Sequence, residues 1–181
     1  DVYKRQHYGW LTRESADPCH LDQVQDLAKF PELRWLDKFQ WVPILATAVG
    51  LFIGGIFIGR AFSWTGTNGP QLLIWAFVIN TVVLWHVTFA VNSVCHKWGT
   101  REHQTTDDSR NNWVIGLLAL GEGWHNNHHS FPGTSRHGFR RRQLDFTHLV
   151  IRTLKKLGLA YDLHPVPARL WLGSKSSRWT N

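Results

Sequence analysis

Two long stretches of this chain carry almost no charge. From Trp41 to Gly59 nineteen consecutive residues lack Asp, Glu, Lys and Arg, and a second uncharged stretch covers 61–96. Because a helix needs about 20 mostly apolar residues to cross a bilayer, we predict transmembrane spans at about 41–60 and 71–95. A buried hairpin of a soluble domain is the alternative. It is disfavoured because core helices of about 10–14 residues do not usually lose all their charges twice in succession.

The segment between the two stretches is typical of a turn. Residues 63–70 (SWTGTNGP) are rich in Gly, Asn and Pro, which favour turns over helices. A connection this short makes the two spans an antiparallel hairpin. We therefore predict an all-α, multi-pass membrane protein, in which a helical hairpin of two transmembrane spans carries a cytoplasmic helical cap.

The distribution of basic residues predicts the orientation of the hairpin. Six Lys and Arg residues precede Trp41, thirteen follow His96, and only Arg60 lies between. Since basic residues remain on the cytoplasmic side of a membrane, we expect residues 1–40 and 97–181, with both termini, to be cytoplasmic. The net charge of +7 is explained by basic flanks that favour anionic lipid head groups. No nucleic acid is expected as a partner.

The start of the sequence is not that of a complete reading frame. The chain has no Met, and its first residues, DVYKRQ, do not form a signal peptide. We therefore expect residues 1–181 to be one partial domain whose N-terminal part is missing.

Three histidines within five residues form the strongest chemical motif. His125, His128 and His129 of HNNHH would share one face of a helix, because they are spaced i, i+3 and i+4. Neutral imidazoles that converge from one face suit iron, zinc or copper. A solvated histidine cluster is the alternative, but the flanking segments WVIGLLAL and SFP are mostly apolar. The motif therefore predicts a histidine-rich metal site in the cytoplasmic cap.

A second polar motif lies at the end of the second predicted span. Asn92 and His96 of NSVCH are spaced i, i+4, and polar residues inside a membrane are usually functional. Beside HNNHH, they indicate a fourth ligand and a possible fifth. Glu122 precedes His125 by three residues. It is either a carboxylate partner of a ligand histidine or an ordinary negative charge at a helix N-terminus.

These motifs together resemble a known family. The segments HVTFAVNSVCH at 86–96 and GEGWHNNHHSFPGTSRHG at 121–138 closely resemble membrane fatty acyl desaturases of the stearoyl-CoA Δ9 type, in their bacterial form. HYGWL at 7–11 is similar to the family's HxGWL stretch, and DFT at 145–147 with LGLAYD at 157–162 is similar to its C-terminal helix. The resemblance covers nearly the whole chain.

The resemblance implies a di-iron centre held by three histidine boxes, HxxxxH, HxxHH and a final HxxHH, together with the NSxxH helix. The positions that match are His96, His125, His128 and His129 as iron ligands, with Asn92 acting through water. The first two boxes are expected upstream of Asp1. The chain as given therefore supplies part of the ligand set, and we do not expect it to turn over alone.

The resemblance also implies the reaction and its participants. These enzymes use O₂ and two external electrons to introduce a cis double bond, at Δ9 in this type, into a saturated acyl-CoA or acyl lipid. The electron donor is a ferredoxin, a cytochrome b5-like protein or a flavin reductase. Thr88 and Phe89 match positions that line the acyl tunnel, and Arg13 lies near the CoA-contact region. The expected location is a bacterial cytoplasmic membrane.

Three other functions remain open from the sequence. A membrane fatty acid or alkane hydroxylase uses similar histidine boxes. A truncated paralogue would keep the fold as a scaffold without catalysis. A zinc-dependent membrane hydrolase would need one metal and neither O₂ nor a reductant.

Overall fold

A computed structural model of the chain describes residues 7–9 and 21–171, and this part of the chain is helical. It contains no strand, only isolated bridges between Thr100 and Asn111 and between Asn111 and Trp124. The all-α prediction is confirmed. The helices are α1 (Gln25–Ala28), α2 (Pro31–Lys38), α3 (Trp41–Ala61), α4 (Gly69–Leu73), α5 (Asn80–Val94), α6 (Trp113–Leu118), α7 (His125–Ser130), α8 (Phe146–Lys156) and α9 (Ala168–Trp171).

The chain divides into two compact units. One unit covers residues 13–85, and the other combines residues 1–12 with 86–181. That residues 1–181 form one partial domain stays a prediction.

Two helical segments are long and apolar enough to cross a membrane. One is α3, with 21 residues, and the other is the 26-residue segment Gly69–Val94. The second segment contains α4, a π-helical stretch at Ile74–Ile79 and α5. The predicted spans at 41–60 and 71–95 end within two residues of these bounds. Almost no residue in the most apolar 18-residue window of either segment is buried, which differs from the core helix of a soluble protein.

The turn between α3 and α4 brings the two helices into close contact. A 3₁₀ turn at Ser63–Thr65 ends at Gly66, whose φ of +64° suits glycine. The side chain of Asn68 then caps α4 by accepting a hydrogen bond from the Gln71 amide at 2.9 Å. A Cβ on Gly55 of α3 would collide with the Asn68 backbone. The predicted hairpin turn at 63–70 is therefore present, and it approaches α3 at positions where only glycine leaves room for its backbone.

The unit that contains residues 86–181 has a small apolar core. Val91, Cys95 and Ile115 are buried together, where the end of α5 meets α6. The Asn112 side chain caps α6, because its Oδ1 accepts hydrogen bonds from the amides of Val114 at 3.0 Å and Ile115 at 3.2 Å. This packing fixes the end of α5 beside the segment that leads into α7.

The helix α8 is amphipathic, as its sequence pattern indicates. Its N-cap is Asp145, whose side chain accepts a hydrogen bond from the His148 amide at 2.9 Å. The helix ends before Gly158, which has a φ of +73°. Its apolar residues Leu149 and Val150 are exposed within this chain.

Candidate metal centre

Three of the four predicted histidine ligands converge. The Nε2 atoms of His96 and His125 lie 3.1 Å apart. The ring centroid of His129 lies 4.2 Å from that of His125 and 5.3 Å from that of His96. One ligand nitrogen from each ring falls within 4.8 Å of the other two. This is the spacing of a metal-binding group.

His96 reaches this group from a turn and not from the last turn of a helix. The prediction that Asn92 and His96 both lie on the last turn of this helix is wrong for His96. The helix α5 ends at Val94, two residues before it. The amide of Cys95 bonds to the Ala90 carbonyl at 3.4 Å, and the Cys95 carbonyl accepts a hydrogen bond from the Arg110 amide at 2.7 Å. Because the Cys95 carbonyl is bonded to Arg110 and not to a later amide of the same helix, the helix ends there. The following residue, His96, is directed toward α7.

Burial favours the neutral form of His96 and His125. Desolvation, followed by the neighbouring charge of His129, lowers the pKa of His125 to about 3 and lowers the pKa of His96 as well. A neutral imidazole has a free lone pair, which is the form that binds a metal. Two nitrogens bound to one ion at about 2.1 Å would lie roughly as far apart as the two Nε2 atoms do. The donor set therefore fits a transition metal.

The fourth predicted ligand, His128, lies closer to His137 than to His125. Its ring centroid is 6.0 Å from that of His125 but 4.5 Å from that of His137. Burial, and then the neighbouring His137, lower the pKa of His128. Within the described part of the chain, the buried Nδ1 atoms of His125 and His128 have no hydrogen-bond partner. Unpartnered buried imidazole nitrogens fit a centre that binds metal on both sides of this helix.

A carboxylate that the sequence pattern did not indicate orients His129. The Asp107 side chain accepts a hydrogen bond from Nδ1 of His129. Burial alone would raise the pKa of Asp107, but hydrogen bonds from Ser109, Thr105 and His129 outweigh it, and the pKa is lowered overall. The ionised carboxylate fixes the tautomer that leaves Nε2 of His129 bare. Asp107 lies in a loop, so helical spacing gave no signal for it.

Glu122 pairs with a different histidine from the one that its spacing indicated. Its Oε2 lies 3.3 Å from Nδ1 of His137, not beside His125. The predicted i, i+3 spacing does not apply, because α7 begins at His125 and leaves Glu122 outside its first turn. The hydrogen bond from His137 lowers the pKa of Glu122.

The two asparagines inside HNNHH are buried anchors for the loops around the centre. Asn126 accepts hydrogen bonds from the amides of Glu102 at 2.8 Å and His103 at 2.7 Å. Asn127 donates to the His137 carbonyl at 2.7 Å and accepts from the Asn111 side chain at 2.8 Å. Both asparagine side chains are fully buried. Helical spacing pointed only to the histidines and assigned these two asparagines no role, although two adjacent amides between metal ligands indicate a polar core.

The remaining predicted site residues are not brought to this group of histidines. Asn92 and Thr88 are exposed on α5, and Phe89 is half-buried. The ring of His7 packs edge-on against Phe89 at 5.8 Å, and its Nδ1 bonds to the Ser93 hydroxyl at 2.9 Å. Arg13 lies outside the described residues. The roles of Asn92, Thr88, Phe89 and Arg13 stay predictions.

The chain that forms this site is similar in sequence to known proteins. Residues 3–164 match the family model described as fatty acid desaturase. A probable lipid desaturase from the chloroplast of Arabidopsis thaliana is 40% identical over 160 residues, which cover 87% of this chain and 41% of that protein.

Two further relatives carry more specific names. An acyl-CoA C20 Delta5-desaturase from Anemone leveillei is 45% identical over 91% of this chain and 49% of its own length. An sn-1 stearoyl-lipid 9-desaturase from Anabaena variabilis is 35% identical over 87% of this chain and 53% of its own length. The chain thus spans about half the length of the relatives that it matches. On the strength of a match over most of its residues and of the histidine group that they form, the chain belongs to the fatty acid desaturase family.

Proposed function

We propose that the chain is part of an oxygen-dependent fatty acyl desaturase that introduces a cis double bond, at Δ9, into a saturated acyl chain. The observation that carries the proposal is the convergence of the His96, His125 and His129 imidazoles in a member of this family. A side-chain acid or base cannot remove hydrogen from an unactivated methylene group, so a metal cofactor has to supply the oxidising power.

The metal in this proposal is a pair of iron ions. The residues that would hold them are His96, His125, His128 and His129, with Asn92 acting through water. When bound, the irons would activate O₂ with electrons from a ferredoxin, a cytochrome b5-like protein or a flavin reductase. The chain's own contribution is to favour the neutral form of His96, His125 and His128 by burial and to fix His129 through Asp107.

The substrate in this proposal is a fatty acyl-CoA or an acyl lipid. The relatives include desaturases named for acyl-CoA and for stearoyl-lipid substrates, so both forms of attachment are compatible with the family. Thr88 and Phe89 would line the path of the acyl chain, and Arg13 would contact CoA. The segments Trp41–Ala61 and Gly69–Val94 would hold the protein in a bacterial cytoplasmic membrane, with both termini on the cytoplasmic side.

The experiment is an assay of the full-length protein in membranes, with stearoyl-CoA, O₂ and a reducing system. We expect an O₂-dependent monounsaturated product, and no product from the His128→Ala variant, whose membrane insertion should be intact. The matched control is His164→Ala, because that side chain is largely exposed. A hydroxylated product would indicate a hydroxylase. An iron-free protein without product would indicate a scaffold, and either result would overturn the proposal.

A further inference from the structure

A histidine outside the HNNHH segment packs against His128. The rings of His128 and His137 are 4.5 Å apart between centroids and are tilted by 39°. The three rings of the first histidine group are separated by 4.2 to 5.3 Å. The spacing of His128 and His137 therefore falls within the range of rings that can share one metal ion.

The backbone of His137 is held in place on both sides. Its amide donates to Oδ2 of Asp145 at 2.7 Å, and the amide of Gly138 donates to the same oxygen at 3.0 Å. Its carbonyl accepts a hydrogen bond from Nδ2 of Asn127 at 2.7 Å. Asn127 lies on α7, the helix that also carries His128, and is fully buried. This hydrogen bond therefore holds the loop that contains His137 against α7.

Glu122 orients His137 in the way that Asp107 orients His129. In each pair the carboxylate faces Nδ1 of the imidazole, at 3.3 Å for Glu122 and His137. A carboxylate on Nδ1 leaves Nε2 without a proton, which is the state of a metal-binding histidine. Within the described residues, the buried Nδ1 of His128 has no hydrogen-bond partner.

We propose that His137 is a further metal ligand, which binds an ion together with His128, and that Glu122 is its carboxylate partner. The centre then has two halves on α7, each with one histidine oriented by a carboxylate from a loop. The first half contains His96, His125 and His129, and the second contains His128 and His137. This inference rests on the proposed iron-binding function, and its test separates the two.

The test measures iron in the purified full-length protein. His137→Phe keeps a flat ring for packing and removes both nitrogens, and we expect it to lower the iron content by about one ion per chain. Mössbauer spectra should show one iron environment altered and the other retained. Glu122→Gln keeps the size of the side chain and should weaken Fe²⁺ binding by about 10- to 100-fold. The control is His164→Phe, which we expect to match the wild-type protein in both measurements.

The outcomes distinguish the inference from the proposed function. Wild-type protein that binds no iron would overturn both. Wild-type protein that binds iron, with a His137→Phe variant of equal iron content and an identical spectrum, would overturn only the role of His137 and leave its ring as packing. If His137→Phe aggregates during size-exclusion chromatography, Glu122→Gln decides, because an unchanged Fe²⁺ affinity in that variant would overturn the inference.

Discussion

Asp107 accepts a hydrogen bond from Nδ1 of His129, although 22 residues separate them along the chain. The loop that carries Asp107 is itself cross-linked. The guanidinium of Arg101 donates to the backbone carbonyl of Asp107 at 2.8 Å and to that of Thr105 at 3.1 Å. The carboxylate is therefore positioned before any metal binds, and the orientation of His129 depends on this loop as much as on α7.

Replacing Asp107 by Asn should weaken metal binding. The amide keeps an acceptor oxygen but loses the charge that favours the Nδ1–H tautomer of His129. We expect the affinity for Fe²⁺ to fall by about 10- to 100-fold, which is the usual cost of losing the partner of a ligand histidine. Competition with a chromophoric chelator measures this affinity.

The adjacent residue provides the control for that substitution. The Asp108 side chain is 79% exposed and makes a 3.7 Å ion pair with Arg101, an interaction that contributes little at a surface. Asp108→Asn should leave the affinity unchanged. Equal losses in the two variants would mean that net charge near the site matters and that the bond to His129 does not.

Replacing Asn127 by Ala should destabilise the unit that holds the centre. The substitution leaves the His137 carbonyl and the side chains of Asn111 and Gln143 without their buried partner. An unsatisfied buried polar group costs about 1–3 kcal/mol, so the thermal unfolding midpoint in detergent should fall clearly. Gln104→Ala, at an exposed position, is the control. An unchanged midpoint for Asn127→Ala would contradict the anchoring role.

The features that the sequence predicts well are those set by local pattern. The two long apolar helical segments follow from the length of the uncharged stretches, and their bounds agree with the predicted spans within two residues. That these segments cross a membrane stays a prediction. The shared face of His125 and His129 follows from helical spacing, since both lie on α7. Each of these predictions needs only the chemistry of neighbouring residues.

The features that the sequence could not predict depend on contacts between distant segments. His96 is directed to the site by the bond between the Cys95 carbonyl and the Arg110 amide, which no periodicity reveals. Asp107 was missed for the same reason, because it contacts His129 from a loop. Glu122 was named from its spacing, but it contacts His137 and not His125. The π-helical stretch at Ile74–Ile79 lies in a continuous apolar segment, so the pattern of apolar and polar residues does not distinguish it from an α-helix.

Substitution of Gly55 should disrupt the contact between α3 and the turn that follows it. A Cβ at this position would lie 2.5 Å from the Asn68 carbonyl oxygen, closer than real Cβ atoms approach, and that backbone cannot move aside without displacing the α4 cap. We expect Gly55→Ala to reduce the yield of monodisperse protein in detergent. Gly50→Ala meets nothing within 4 Å and should raise helix propensity without a clash. Equal yields for both variants would contradict the close packing at Gly55.

The orientation of the hairpin can be tested by labelling single cysteines in a Cys19→Ser background, where Cys95 remains buried. Because all the basic residues except Arg60 lie outside the spans on the two flanks, the 63–70 turn should face away from the cytoplasm. A membrane-impermeant maleimide should label the Ser63→Cys variant in intact cells and the Lys155→Cys variant only after permeabilisation. Both positions are exposed, so burial cannot explain a difference. Labelling of Lys155→Cys in intact cells, with Ser63→Cys protected, would reverse the predicted topology.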